Sequence, residues 1–365
     1  MKQVCLQCGR TSPGGDLFCQ ETYCPGEMSP TILDAGDWCG DIEIVKPIIV
    51  LRSAVLYEAM HQKRKVYLKV AHPGAENKER LKREAEFLQA LQLRRQGQPT
   101  LPALLPPYAN TTVAHDAYGK TMLRGHLLYF FLFEHFEGEP LRDVLVRNPQ
   151  LWINHVGWTV LSLAATVNYL HLDKRYHYGL GPDSLLVRFD EKPSAPRILL
   201  FDLGIATDKA NLALDWYPSF VLPAYTAPEL VDATRQTVVA DYRTDVYGLG
   251  LVLYEMLVGQ PAFPFRLRSD DEVYQAITRD QRVTMNRVED VDKVAQIALK
   301  AVSQEPAGRQ PSAVDVAVQL KALFGDVPPP KRSPWPSLHT IFLVVVVLLI
   351  IGFLIVLALS LNGLG

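Results

Sequence analysis

From Leu338 to Leu361 no side chain is charged, and Ile341–Leu359 is almost wholly Ile, Leu, Val, Phe and Ala. A helix needs ~20 such residues to cross ~30 Å of hydrocarbon, so the sequence predicts a transmembrane helix over 338–361. Everything ahead of it must then build its own core in water. Lys331 and Arg332 precede the run and no charge follows it, which by the positive-inside rule keeps the N-terminal bulk cytoplasmic. A Pro-rich linker, 326–337, separates the two. The start of the chain has no basic stretch leading into an apolar run and a small-residue cleavage site, so no secretory signal is expected.

The preceding residues exceed the ~100–200 of one ordinary domain, which suits a two-lobed fold with small appendages. A net charge of −2 gives no basic surface for neutralising phosphates, and no nucleic-acid partner is expected. Cysteine is unevenly placed. Cys5, Cys8, Cys19 and Cys24 crowd the N-terminus and Cys39 follows alone. Residues 1–30 are too few to bury a core without a staple. In a reducing compartment, two paired-cysteine knuckles read as metal ligands before disulfides. Four converging thiolates suit tetrahedral zinc, which binds sulfur at ~2.3 Å, and such a site has no open position and is structural. Two disulfides remain the competing reading. The module resembles a zinc ribbon, a fold that does not by itself choose a partner. Cys39 reads as an ordinary thiol.

Over 38–325, β-rich runs such as Ile42–Val50 and Lys65–Val70 come first, followed by long helical patterns such as Trp152–Leu172 and Val246–Leu257. Strands before helices predict an α+β fold.

Lys69 in the strand-like run Lys65–Ala71, Glu84 in the helical run Glu79–Leu91, then Asp202, Ala227–Glu229 and Thr244–Gly250 follow one another along the chain. That series resembles the protein-kinase family. Lys65–Ala71 is similar to the family's third strand and Glu79–Leu91 to its C helix, which matches Lys69 to the lysine on the ATP phosphates and Glu84 to its glutamate partner. Leu132–Leu141 resembles the hinge, whose backbone meets adenine, with Glu134 and Phe136 as the cofactor-facing positions. Ile198–Ala206 resembles the strand into the Asp-Phe-Gly motif, with Asp202 on the magnesium position and Leu203 in place of the aromatic. Ala227–Glu229 matches Ala-Pro-Glu, and Thr244–Gly250 opens what resembles the F helix. The resemblance implies an ion pair between Glu229 and Arg309, and implies that Asp245 anchors the catalytic-loop backbone. It implies a bilobal fold with an N-lobe over 38–135 and a C-lobe over 136–325.

The departures fall on the groups that perform phosphoryl transfer. Aligning His177–Val187 on the family's His-Arg-Asp-Leu-Lys-Pro-Glu-Asn puts Gly179 on the catalytic base and Ser184 on the metal-binding Asn. Glycine accepts no proton, and serine is a poor magnesium ligand. A register using Asp173 as the base leaves Pro182 and Leu185–Val187 unmatched. Ile48–Tyr57, in place of the Gly-rich loop, has no glycine, and Leu222 replaces a threonine that contacts the catalytic loop.

This pattern predicts a membrane-anchored pseudokinase that works as a signalling scaffold or allosteric regulator with membrane-associated protein partners. The tether raises its local concentration for them. Lys69, Glu84 and Asp202 leave binding of ATP and magnesium open. Two alternatives stand beside it. One is an atypical active Ser/Thr kinase with Asp183 or Asp173 as base, and the other an ATP-sensing switch without turnover.

Overall fold

The computed structural model describes residues 2–93, 99–106, 116–203, 220–231, 240–287, 291–328, 346, 347 and 352. The chain divides into one unit over Met1–Pro328 and another over Pro329–Gly365. All but three residues of the expected span, 338–361, lie outside the described residues, and among those described no helix is long and apolar enough to cross a membrane.

The N-terminal module is built on β1 (Gln3–Val4) paired antiparallel with β2 (Thr11–Ser12). Its core is the cysteine cluster with Met28 rather than an aliphatic interior. The module continues into the N-lobe. Ile32 and Leu33 enter that lobe's core, and the Leu33 amide donates to Tyr57 Oη at 2.9 Å.

The N-lobe sheet orders β3 (Trp38–Cys39), β4 (Ile42–Val50), β5 (Ala54–His61), β6 (Arg64–Ala71), β9 (His126–Glu134) and β7 (Leu104–Leu105), with β8 (Gly119–Leu123) also on β9. Strand side chains alternate between faces, and β6 divides accordingly. Val66, Leu68 and Val70 join the outer core with Cys39, whereas Tyr67 joins the core that spans both lobes. Lys69 shares the parity of Tyr67. The register sets Leu56 against Lys69 and Phe133 against Tyr67, which puts all four on the face toward α1 (Ala75–Leu93) and the cleft.

In the C-lobe, β10 (Glu139–Pro140), β11 (Leu185–Arg188) and β12 (Arg197–Leu200) form a small antiparallel sheet beside α2 (Leu141–Arg147) and α3 (Ile153–Leu172). After a short α4 (Pro228–Val231) comes α5 (Tyr242–Val258), buried at every position from Thr244 to Leu257. A helix apolar on all sides belongs in the centre of a domain. Asp241 caps its start by accepting from the Arg243 amide, and Gly259 ends it at φ 81°, donating to Glu255 O. Against it pack α3, α7 (Asp292–Ala301) and α8 (Ala313–Phe324), while α6 (Asp270–Thr278) packs on α4 and the Pro223–Tyr225 turn. Ser269 and Glu272 form a reciprocal capping box on α6.

Two carboxylates, one buried and one partly buried, tie loops to this helical core. Asp245, wholly buried, accepts from the amides of His177 at 2.8 Å and Tyr178 at 2.7 Å and from His171 Nε2 at 2.8 Å. Glu229 receives both ends of the Arg309 guanidinium at 2.7 Å, while Arg309 also donates to the carbonyls of Arg243, Ser303 and Gln304. Removing one member of a buried, fully bonded pair strands the other charge, at a cost of about 3–5 kcal/mol, whereas exposed pairs contribute about 0–1 kcal/mol. Arg309→Ala is expected to lower the unfolding free energy by that larger amount, and Arg10→Ala, which breaks the exposed Arg10–Glu21 pair, by about 1 kcal/mol or less. Denaturant titration of the full chain in detergent checks this, and equal effects would contradict it.

Candidate functional site

Four charged side chains from three elements meet at the back of the interlobe cleft. Lys69 of β6 donates to Glu84 Oε2 of α1 at 2.5 Å and to Asp202 Oδ1 at 2.7 Å. Glu84 uses its other oxygen to accept from the Leu203 amide at 2.9 Å. The fourth member, Arg80, lies one helical turn before Glu84 and donates to Asp202 Oδ2 at 3.1 Å. Lys69, Arg80 and Glu84 are no more than 1% exposed, and Asp202 is 8% exposed. Burial would raise the Asp202 carboxyl, but Arg80 and then Lys69 outweigh it and hold the group well below the usual carboxylate range. Both carboxylate oxygens are thus engaged by cations of the chain itself. The Arg80 guanidinium also lies over the Phe220 ring, 4.8 Å from its centroid.

The catalytic-loop positions are arranged just as inwardly. Gly179 offers only backbone to the cleft, its amide directed at His177 Nδ1 at 3.4 Å. His177 is buried and its imidazole pushed toward the neutral form by desolvation. Ser184 Oγ donates to Gly181 O at 2.8 Å, so the hydroxyl on the metal-ligand position closes its own turn. Asp183, the nearest carboxylate along the loop, is gripped by a bidentate Arg142 at 2.6 and 2.8 Å. Arg142 reaches Glu255 as well, at 3.1 Å, and bonds the Tyr225 hydroxyl. The fork holds the carboxylate in one orientation, against Arg142 and not toward a substrate hydroxyl. Leu222 lies at the entrance to the short turn Pro223–Tyr225 and lines the same cleft.

At the hinge, Glu134 is the last residue of β9 and Phe136 follows it. Phe136 O accepts from Gly138 N at 2.9 Å and from the Tyr67 hydroxyl at 3.0 Å. The Tyr67 ring stacks on His135, with centroids 4.9 Å apart and planes 23° apart, and lies 5.3 Å from Phe133.

The structure thus brings Lys69, Glu84 and Asp202 together as the sequence predicts, and places Gly179 and Ser184 at the cleft. Sequence reasoning missed Arg80, Tyr67 and Arg142. The first two had a signal. Arg80 is four residues from Glu84 on a helix, and Tyr67 two from Lys69 on a strand, so each shares a face with a predicted site residue. Arg142 had none, because its partners are 41 and 113 residues away.

The four N-terminal cysteines also converge, their sulfurs all within 4.8 Å of one another. None is in a disulfide. Cys5 and Cys24 sulfurs lie 3.7 Å apart and Cys8 and Cys19 sulfurs 3.5 Å apart, close to the about 3.8 Å edge of a tetrahedron with ~2.3 Å zinc–sulfur bonds. Amides of Gln7 and Cys8 point at Cys5 Sγ and that of Glu21 at Cys19 Sγ, each at 3.4 Å, an arrangement that stabilises thiolate charge. The donor set and its spacing fit a four-coordinate soft cation. The module's first knuckle reaches the mouth of the cleft. Gln7 Nε2 donates to Asp270 Oδ1 at 3.1 Å, and Arg52, from the turn that replaces the Gly-rich loop, forks onto the same carboxylate at 2.9 Å. Val4–Gly9, Ile48–Arg52, Gly179 and Phe220–Leu222 all line one cavity of about 420 Å³ there.

Comparison with known proteins agrees with this geometry. The chain is 30% identical over 142 residues to MAP kinase-interacting serine/threonine-protein kinase 1 of Xenopus tropicalis, covering 37% of this chain and 34% of that protein. It is 28% identical over 198 residues to the serine/threonine-protein kinase PknB of Mycolicibacterium smegmatis, covering 53% and 30%. The matches thus span about a third of the length of these relatives. Among solved structures, the PknI kinase domain of Mycobacterium tuberculosis superposes with a TM-score of 0.51 at 19% identity, over 80% of this chain and 99% of that one, which supports the fold. The family model of the protein kinase domain matches residues 109–318, more than half of the sequence. With the bilobal fold and the assembled Lys69–Glu84–Asp202 constellation, these matches establish that the chain belongs to the protein kinase domain family.

Proposed function

We propose that this chain is a pseudokinase, a kinase-fold protein that acts by binding other proteins rather than by transferring phosphate. The observation that carries the reading is that, among the described residues of the catalytic loop, no carboxylate stands free as a base. Gly179 stands on that position, and the adjacent carboxylate, Asp183, is clamped by Arg142. Loss of a general base costs about 10²–10⁴-fold in rate. Two metal sites are also compromised, since Ser184 is spent on Gly181 and Asp202 on Lys69 and Arg80. The span over 338–361 would anchor the protein in a membrane with its bulk cytoplasmic, among membrane-associated signalling partners.

The second reading is an active, atypical Ser/Thr kinase. The printed names of the relatives favour it, and so does the intact Lys69–Glu84 pair. It requires Asp183 to leave Arg142, or Asp173 to reach the cleft. Incubation of the purified full chain with radiolabelled ATP, magnesium or manganese and a general protein substrate separates the two. The pseudokinase reading expects no transfer above that of an Asp202→Ala variant. Transfer lost in Asp183→Asn would establish the kinase instead.

For the cysteine module we propose a structural zinc ion held by Cys5, Cys8, Cys19 and Cys24. The sulfurs are most of that module's core, so removing the ion leaves little to hold it. Gly26 supplies a sharper test, because a Cβ there would lie 2.7 Å from Cys5 Sγ. Metal analysis of the purified chain is expected to give one zinc per molecule. Gly26→Ala is expected to lose it to a chelator at least about tenfold faster, since one displaced thiolate weakens the whole set. Equal retention in both proteins would contradict this arrangement.

A further inference from the structure

We propose that two anchor points of the nucleotide cleft are taken by the chain itself, with Tyr67 in the place of a purine and Arg80 in the place of its metal ion. The family's hinge backbone meets adenine while the strand lysine holds the phosphates. A nucleotide spanning those points must lie along the cleft face of β6 between the hinge and Lys69. The residue on that face is Tyr67, two positions from Lys69 toward the hinge, where the family pattern Val-Ala-Ile-Lys has alanine.

The tyrosine fills the space in the manner of a bound base. Its ring is 1% exposed, stacks on His135 and packs within the core that joins Leu56 of the N-lobe to Leu185, Leu186 and Val187 of the C-lobe. Its hydroxyl donates to Phe136 O, and with the bond from Gly138 N both lone pairs of that hinge carbonyl are used. Burial raises the phenol well above its ordinary value, which keeps it a donor at any physiological pH.

Arg80 completes the substitution. A magnesium ion needs oxygen ligands with free lone pairs at ~2.0–2.1 Å in near-octahedral order. Asp202 has one oxygen on Lys69 and the other on Arg80, and Ser184 faces Gly181. Arg80 is held by its bond to Asp202 and its contact with the Phe220 ring, while its Nε and second terminal nitrogen find no hydrogen-bond partner among the described residues. The Lys69–Glu84 pair, which in an active kinase serves the nucleotide, is here part of a closed and neutral cluster.

This inference does not rest on loss of the catalytic base, and it has a separate readout. Full-length protein in detergent is titrated with ATP, with magnesium or with EDTA, following the unfolding midpoint and retention of labelled ATP in equilibrium dialysis. Wild type and Tyr67→Phe are expected to show neither a shift nor retention. Tyr67→Ala, which vacates the slot, is expected to retain ATP and to gain roughly 2–4 °C at saturating nucleotide, with magnesium adding nothing while Arg80 is present. ATP binding by wild type overturns the proposal, as does a folded Tyr67→Ala that binds none. Should Tyr67→Ala fail to fold, the wild-type and Tyr67→Phe titrations decide alone. Binding by wild type without phosphate transfer would remove the occupied cleft and keep the pseudokinase, whereas binding with transfer would remove both.

Discussion

Two cations and two anions buried at one point, Lys69, Arg80, Glu84 and Asp202, set the terms for the rest of this molecule. An isolated ion in such surroundings would cost several kcal/mol in lost hydration, so each member depends on the geometry of the other three. That dependence fixes the position of α1 against the sheet, because Arg80 and Glu84 must both face β6. It fixes the start of the activation segment, because Asp202 and the Leu203 amide are bonded into the cluster. A divalent ion approaching Asp202 would meet the charges of Lys69 and Arg80 already in contact with it.

The same inward satisfaction recurs across the cleft. Arg142 neutralises Asp183 and shares Glu255 with Tyr225, whose hydroxyl donates to that carboxylate at 2.6 Å. Tyr67 takes the hinge carbonyl, and Arg52 pairs with Asp270, which Gln7 of the cysteine module also contacts. Groups that would meet ligands in a working kinase are bonded to one another. The family's framework contacts, Asp245 with the loop amides and Glu229 with Arg309, keep the same scaffold intact around them. On the proposed pseudokinase reading, that scaffold would offer partners a rigid surface, and the expected anchor would place it where membrane partners are concentrated.

Much of this was legible in the sequence, for physical reasons that can be named. Motif order gave the two lobes, since Lys69, Glu84, Asp202, Glu229, Asp245 and Arg309 are short local signals whose spacing follows chain topology. The cysteine cluster was legible because knuckle spacing brings sulfurs together locally, as their 3.5 and 3.7 Å separations bear out. Strand and helix periodicity would have put Tyr67 and Arg80 beside the predicted site, but periodicity says which face a side chain is on and not what it touches. Contacts between distant segments were out of reach altogether. Gln7 and Asp270 are 263 residues apart, and nothing local in either announces the other.

If Tyr67 and Arg80 already fill the two anchor points of the cleft, amide hydrogen exchange in the hinge will not respond to ATP. Exchange at residues 134–138 of the full chain would be followed with and without magnesium and ATP. If Tyr67 already occupies the slot, those amides exchange at the same rate in both conditions, and so do those of α1 around Glu84. Slowing of the hinge and of α1 by ATP would mean that a ligand closes a cleft the chain had left open, and would contradict the account.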